Sequence, residues 1–375
     1  EDGAPKFKDY IGNTKQGKNY RIELESDWDI TERLNWALSY GYLITEIGEY
    51  TYESEYYGVF VQDGRQQAHA PQYSASTALT YGLTDAGTIR TEFTIVREAE
   101  DEYYVVTAGA AQAYDSDYMK KEAAKKRDEF GWIEVQDVST QWGVFAIAGP
   151  KSRDILREII VDADPATALT NKAFPWLSSK NIDLGMCPVK AIRVAYTGEL
   201  GWELHHPIEM QNYLYDLIME AGAKHGLKLC GARAQNWLRQ EKSYRAFGSD
   251  LGRDATPLEA GLDRFVDMEK EYRGKQAMID TGVRAKCVTM LIDGPDDTDP
   301  WGREAVLHGD EKVGRLTSGG YSVAFGKQIG IGYVRPDLAE VGTKLKVRMM
   351  TKLWDAEIVE DSPYDPTNAT IRMNG

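Results

Sequence analysis

The chain changes character at Lys286. Beyond that residue the segments CVTMLIDG, REAVLHGDEKVGRLTSGGY, QIGIGYV and TKLKVRMM are short strand-like runs separated by Gly-rich turns, with no convincing helical spacing among them. A stretch of strands without helices reads as a unit of its own, which argues for a separate C-terminal β domain over residues 286–375.

Ahead of that boundary, strands and single helices mix. The segments TIRTEFTIVRE and EYYVVTAGA are two β-rich runs joined by an acidic turn, which predicts a hairpin. YDSDYMKKEAAKKRDEFG carries helix formers up to Gly131 with charge on most faces, the pattern of a solvated helix. WGVFAIAGPKSRDILREII is a strand followed by a helix that opens near Pro150 and keeps Ile155, Leu156, Ile159 and Ile160 on one stripe. VKAIRVAY and GWELHH flank a tight turn as strands, and the helix after them carries Met210, Leu214, Leu217, Ile218 and Ala221 at helical spacing. ARAQNWLRQEKSYRAFG reads as a further helix closed by Gly248, and residues 45–60 alternate Tyr and Glu as an exposed or edge strand would. The expected class is α+β, with antiparallel sheets covered by helices on one face.

Several chemistries are disfavoured. A balance of 59 acidic against 44 basic residues, net charge −15, repels a phosphate backbone, so no nucleic-acid partner is expected. No apolar run approaches the roughly 18 to 20 residues that span a bilayer, and the N-terminal segment lacks an apolar core behind a basic start. A cytoplasmic protein without membrane attachment is therefore expected, or one of the mitochondrial matrix in a eukaryote. Cys187, Cys230 and Cys287 stand far apart with no CxxC, which suits a reducing compartment and three small buried residues. No GxGxxG or GxxxxGK opens a helix after a strand, no GxSxG elbow occurs, and adjacent His205 and His206 point to opposite faces of a strand. No metal is expected.

What remains is acid, arginine and aromatic groups gathered in four segments: RTEFTIVRE around Glu92, YTGELGWE, LRQEKSYRAFGSDL and LTSGGYS. A ligand that uses all of them has a planar ring for the aromatics, a paired-donor edge for a carboxylate and anionic ends for arginine. A reduced pterin with a glutamate tail meets that description. The bland alternative for Glu199 and Glu203 is a surface hairpin whose glutamates face water.

Taken in order, TIRTEFTIVREAEDEYYVVTAGA, FAIAGPKSRDIL, VAYTGELGWELHHP, ARAQNWLRQEKSYRAFGSDLGRDATPLEAGLDRFV, GKQAM and GRLTSGGYSVAFGKQIGIGYV resemble the successive motifs of the folate-binding aminomethyltransferase family, the glycine-cleavage T-proteins, over roughly residues 77–375. Within that family the likeness is to the folate-binding C-terminal half of dimethylglycine and sarcosine dehydrogenases. The resemblance implies a three-domain cloverleaf of α+β type: residues 1–285 form two interleaved subdomains and residues 286–375 a small β barrel, with tetrahydrofolate in a central hole. It implies an enzyme that passes a one-carbon unit from a small methylated amine or related methyl donor to tetrahydrofolate.

By the same resemblance the YTGE glutamate, Glu199, is the carboxylate ligand of the pterin edge, with Glu203 as its support or alternative. Tyr196 stacks on the ring or packs the sheet, and Trp202 is assigned to the core. Glu92 falls where T-proteins generally carry Asp, near the reacting ring nitrogens; it orients the folate or accepts a proton there, or else forms an ion pair with Arg90 or Arg97. Arg239 anchors a folate carboxylate or bridges domains by a salt bridge, and Glu241, two residues on along a helix, serves a different neighbour. Tyr244 and Phe247, three apart on one helix face, line the ring pocket or pack the core, and Tyr321 comes from the β domain to close the hole.

Nothing in the chain resembles the FAD domain of the dehydrogenases, and residues 1–76 match the family's entry segment poorly. Three functions follow: a one-carbon transferase served by a separate flavoprotein subunit or a removed flavin domain, a self-sufficient demethylase of an S-, O- or N-methyl substrate, or a non-enzymatic folate-binding protein. The last is disfavoured because the assembly factors of that kind carry a cysteine at the turn equivalent to AYTGEL, which has none here.

Overall fold

A computed structural model describes residues 86–373 apart from Glu100, Ala163 and Asp296, and ahead of them the backbone of five strands. Two compact units result, Glu1–Asp85 and Ala86–Gly375. In the first, β1 (Gly17–Thr31), β2 (Leu34–Ile47) and β5 (Tyr73–Tyr81) pair antiparallel in the order β1-β2-β5, and β3 (Tyr50–Ser54) pairs with β4 (Gly58–Gln62). The side-chain alternation expected over residues 45–60 lies outside the described residues.

The second unit opens with the anticipated hairpin, β6 (Thr94–Arg97) against β7 (Tyr103–Val106). Helices α1 (Gln112–Lys125) and α2 (Arg127–Phe130) follow and stop at Gly131. The solvated reading of this helix needs one correction: Asp115 is fully buried, where it accepts hydrogen bonds from the hydroxyls of Thr91 and Thr107.

A four-stranded antiparallel sheet then forms from β8 (Trp142–Ala148), β9 (Ser179–Leu184), β10 (Cys187–Ile192) and β11 (Gly201–Pro207), in the order β8-β11-β10-β9. Its strands place alternate residues on opposite faces. Trp202 and Leu204 of β11 face a core completed by Ile147, Val189 and Ala191, by Ile155, Leu156 and Ile159 of α3 (Ser152–Ile159), and by Leu214 and Ile218 of α5 (Gln211–Ala223). Each such buried side chain contributes about 1.5–3 kcal/mol. Short α4 (Pro165–Ala168) lies between α3 and β9.

The helix α6 (Ala232–Glu241) ends seven residues ahead of the expected Gly248. Ser243 has φ +53°, a left-handed backbone that a helix cannot continue through, so Tyr244 and Phe247 stand on the irregular segment after the helix instead of on its face. Cys187 and Cys287 are buried as expected, whereas Cys230 is exposed on the loop that leads into α6, which corrects its assignment as a buried residue.

After α7 (Lys275–Thr281), six strands close a barrel in the order β12-β15-β14-β13-β16-β17: β12 (Lys286–Ile292), β13 (Ala305–His308), β14 (Glu311–Ser322), β15 (Lys327–Val334), β16 (Lys344–Met349) and β17 (Lys352–Val359). Val288, Met290, Ile292, Val306, Leu316, Val347 and Ile358 fill its interior. Strand β17 was not anticipated from the sequence; its outward Asp355 and Glu357 interrupt the apolar signal of Trp354, Ala356 and Ile358, and pairing with β12 and β16 closes the barrel.

The chain beyond β17 returns to the core under the four-stranded β8-β11-β10-β9 sheet. Arg153 Nη1 donates to the Met373 carbonyl at 2.9 Å, Arg193 Nη2 to that of Ile371 at 3.4 Å, and Asn171 Nδ2 to that of Arg372 at 2.7 Å. Trp202, fully buried, has both guanidinium groups 5.7 Å from its ring centroid, which places it in the core as the sequence suggested.

Candidate folate site at the Glu199 turn

Between β10 and β11, which pair at Lys190 with His205, Ala191 with Leu204 and Ile192 with Glu203, the chain makes the turn that carries Tyr196, Thr197, Gly198 and Glu199. Gly198 has φ +75°, and a Cβ there would stand 2.3 Å from Cγ of Lys242. Only glycine suits both the left-handed backbone and that contact.

Glu199 is half-buried at this turn. Burial raises its pKa from the ordinary 4.5, with the charges of Asp365 and Glu241 adding to the rise and Lys242 opposing it. Among the described residues no hydrogen bond or ion pair engages its carboxylate. Beside it the buried hydroxyl of Thr197 has no partner among the described residues, an orphaned polar atom of the kind a bound ligand satisfies.

Two aromatic rings border the turn. Tyr196 and Tyr244 stack with centroids 6.2 Å apart and planes 24° from parallel, and the Tyr196 hydroxyl lies 3.4 Å from the Arg245 carbonyl. Burial pushes the Tyr196 phenol up to about 12; the charge of Arg239 opposes that rise, and Glu92 and Asp250 add to it. Glu92, 104 positions ahead of Tyr196, is thus within electrostatic reach of the same ring. Its own residue surface is exposed, yet desolvation by the surrounding chain raises its pKa from 4.5. Arg90 packs its guanidinium 5.4 Å from the ring centroid of Tyr118 and Arg97 donates to the Ala99 carbonyl at 3.1 Å.

Glu203 keeps different company. It shares a sheet face with His205, opposite Trp202 and Leu204, and its Oε2 lies 3.4 Å from His205 Nε2. The other ring nitrogen of the buried His205 lies 3.1 Å from the Tyr104 hydroxyl, and Lys190, paired with Glu98, stands 5.1 Å over the Tyr104 ring. Burial raises the Tyr104 pKa, and Glu98 and Glu203 add to it. Glu203 therefore belongs to a polar cluster under the β6–β7 hairpin, and the turn's only carboxylate is Glu199. His205 and His206 do point to opposite faces, and His206 stacks on Phe145 at 4.8 Å.

Of the two roles open to Arg239, its surroundings are those of a bridge. Nearly fully buried, it donates from Nη1 to Asp250 Oδ2 and to the Tyr244 carbonyl at 2.7 Å each, from Nη2 to Ser318 Oγ at 2.7 Å and from Nε to Asn236 Oδ1 at 2.9 Å. These bonds join α6 to barrel strand β14. Glu241, as expected, serves another neighbour: it accepts from Ser322 Oγ at 2.6 Å and from the Ala324 amide at 3.1 Å. Tyr321 packs edge-on to Trp237 with centroids 6.2 Å apart, and Phe247 is half-buried in the turn at Leu251.

Lys242 and Asp365 are residues of this site that sequence reasoning passed over. Lys242 sits next to the motif glutamate, and a lysine in that place signals nothing until the fold buries it; Asp365 arrives from the C-terminal tail. Two cavities, of about 190 Å³ at the edge of the β8-β11-β10-β9 sheet and about 430 Å³ on the barrel flank, are lined by other residues. Among the described residues no three His, Cys, Asp or Glu are placed to hold a metal ion, and no helix is long and apolar enough to cross a membrane.

The donor set fits a reduced pterin: one unpaired carboxylate, one orphaned hydroxyl, a stacked ring pair and a second carboxylate nearby. Two family models match most of the chain from residue 60 to residue 365. The GCVT N-terminal domain model matches residues 60–270, and the glycine cleavage T-protein C-terminal barrel domain model matches residues 286–365. Human mitochondrial dimethylglycine dehydrogenase is 33% identical over 306 residues, which are 80% of this chain and 34% of that protein. The mouse mitochondrial sarcosine dehydrogenase is 29% identical over 79% of this chain and 34% of its own length. This chain thus spans about a third of these relatives. An aminomethyltransferase of Caldanaerobacter subterraneus is 32% identical over 72% of this chain and 70% of its own. The crystal structure of the glycine cleavage system aminomethyltransferase T from Bartonella henselae superposes with a TM-score of 0.63 at 20% identity, covering 76% of this chain and 75% of that one, a likeness of fold. With both its α+β half and its closing barrel matched in order, the chain belongs to the glycine cleavage T-protein family of aminomethyltransferases.

Proposed function

We propose that this chain is a tetrahydrofolate-dependent enzyme of one-carbon transfer, in which Glu199 receives the amino edge of the pterin. The observation that carries the reading is the unpaired, half-buried Glu199 beside the orphaned Thr197 hydroxyl and the Tyr196–Tyr244 pair. A desolvated carboxylate without a partner is costly unless a ligand supplies donors, and a pterin edge offers two in parallel. Tetrahydrofolate supplies the ring nitrogens that take up the one-carbon unit.

The chain's own residues bind, orient and move a proton. Tyr196 and Tyr244 flank the ring. Glu92, whose pKa desolvation raises, orients the folate or, when ionised, accepts a proton from a folate nitrogen. Arg239 keeps α6 on the barrel, and through the Tyr244 carbonyl it holds the segment that carries that ring. The two folate-binding subdomains fall within residues 1–285 and the barrel within residues 286–375, which contributes Tyr321.

The donor is a small N-methyl amine of the dimethylglycine or sarcosine kind, and methylene-tetrahydrofolate is the product. Support comes from the identity to the dehydrogenases over the third of their length that this chain spans. Oxidation of the amine then falls to a flavoprotein subunit or domain. Saturating tetrahydrofolate at about 100 times its dissociation constant stabilises the native state by roughly 2.7 kcal/mol, read as a rise in the melting temperature. An unmoved melting curve sinks the reading. Mass analysis of the folate after incubation with dimethylglycine, with and without an added flavoprotein oxidase, separates the partnered enzyme from a self-sufficient demethylase.

A further inference from the structure

The geometry points to Lys242 as the residue that positions Glu199, by resting the glycine turn on its stem while its ammonium ties the C-terminal tail beneath that turn. The inference rests on the folate reading of Glu199 and adds to it a second lysine-held element, the tail segment at Tyr364 and Asp365.

Lys242 is 1% exposed. Its Nζ donates to the carbonyls of Asp365 at 2.6 Å and Tyr364 at 3.1 Å. The tail is held there from two further sides. The Tyr364 amide donates to the Glu241 carbonyl at 3.1 Å, and Ser362 bonds to Ser243 Oγ and to the Lys242 carbonyl at 2.9 and 2.8 Å. Asp365 turns its carboxylate inward along the tail, where it accepts from the amides of Ala369 and Thr370 at 2.9 Å each.

A buried ammonium with two neutral carbonyl acceptors is an incomplete arrangement, because neither carbonyl carries a compensating charge. Two carboxylates supply it, Glu199 from the turn and Asp365 from the tail, both of which favour the charged form of Lys242 against the cost of its burial. From the position of Glu199, the facing charged groups are Asp365 on the tail and Glu241 and Lys242 at the end of α6. Lys242 is the cation of that set. The stem contact at Gly198 sets where the turn sits, and the ammonium opposes the rise in the Glu199 pKa that burial, Asp365 and Glu241 produce.

A structural role alone would change stability; a positioning role also moves the pH dependence of binding. The test measures tetrahydrofolate dissociation constants from pH 5 to 9 for the wild type, Lys242→Met and Asp365→Asn, with each melting temperature taken without ligand. Methionine keeps most of the stem against Gly198 and removes the charge. The Glu199 ionisation that limits affinity should then move to higher pH, so that binding weakens at and below that midpoint and is recovered in alkali. Asp365→Asn keeps an acceptor for the tail amides and removes a repelling charge, so the same midpoint should move to lower pH. That arm decides the matter if Lys242→Met does not fold. Wild-type midpoints in both variants overturn the role of Lys242 and leave the folate reading standing. No binding by the wild type overturns the folate reading itself.

Discussion

Arg239 and Glu199 lie on two sides of one short segment and differ in how their charges are met. The guanidinium is buried and engaged by a carboxylate, two side-chain oxygens and a carbonyl. The carboxylate is half-buried, faces two other carboxylates and has no bonded partner among the described residues. A buried charge whose partners are all protein is part of the frame. A desolvated charge left without donors marks a place where the molecule meets something else.

The comparison breaks most visibly at Arg239. Arg239→Ala leaves Asp250 buried and unpaired, and should lower stability by about 3–5 kcal/mol in urea unfolding. A loss below about 1 kcal/mol would return the arginine to the list of ligand-binding groups. Glu199→Ala should do the reverse: the unliganded protein unfolds within about 1 kcal/mol of the wild type, while the roughly 2.7 kcal/mol gained from saturating tetrahydrofolate disappears. Glu92→Gln should retain that gain and lower turnover about 10²- to 10⁴-fold, and unchanged turnover would remove Glu92 from the chemistry.

Smaller effects sharpen the contrast through pH. Glu199 has a folded-state pKa raised above its ordinary 4.5, so the native state holds its proton more tightly than the unfolded chain. The stability this contributes is present below pH 4.5 and is lost as pH rises through the folded value. Glu199→Gln should therefore be the more stable protein at pH 7, with the difference shrinking toward pH 4.5. Glu259, held by Arg284 and by the Thr256 amide against the penalty of burial, sits at about 2 and behaves oppositely: its contribution is present above 4.5 and is lost as pH falls toward 2. Denaturation midpoints of Glu199→Gln and Glu259→Gln across pH 3–8 should diverge in opposite senses. The smallest change is expected from Glu203→Gln, which should leave the tetrahydrofolate shift in place because Glu203 lies with His205 and Tyr104.

Much of the architecture was legible in the chain. The β6–β7 hairpin, the α3 stripe of Ile155, Leu156 and Ile159, and the change to strands at Lys286 all follow from local period, which a side chain's neighbours in sequence determine. Where the reading missed, the reason was also local. Helix α6 stops at Glu241 because Ser243 takes a left-handed backbone that the packing against the tail and Thr289 supports, and no Gly or Pro announces it. Strand β17 hides behind charged residues that only a closed barrel turns outward.

For the site, the sequence by itself determined the tight glycine turn, the carboxylate after it and the aromatic supply, because a left-handed residue and a β-turn are properties of a few adjacent positions. Only the tertiary structure decided that Glu199 and Glu203 part company, that Arg239 is spent on Asp250 and Ser318, and that Lys242 and the tail at Asp365 stand under the turn. Four residues along a chain are close in sequence, yet a turn followed by a pleated strand sends their carboxylates to different surroundings. Residues more than 120 positions apart, such as Lys242 and Asp365, meet solely because burying an ammonium requires acceptors wherever the fold can bring them.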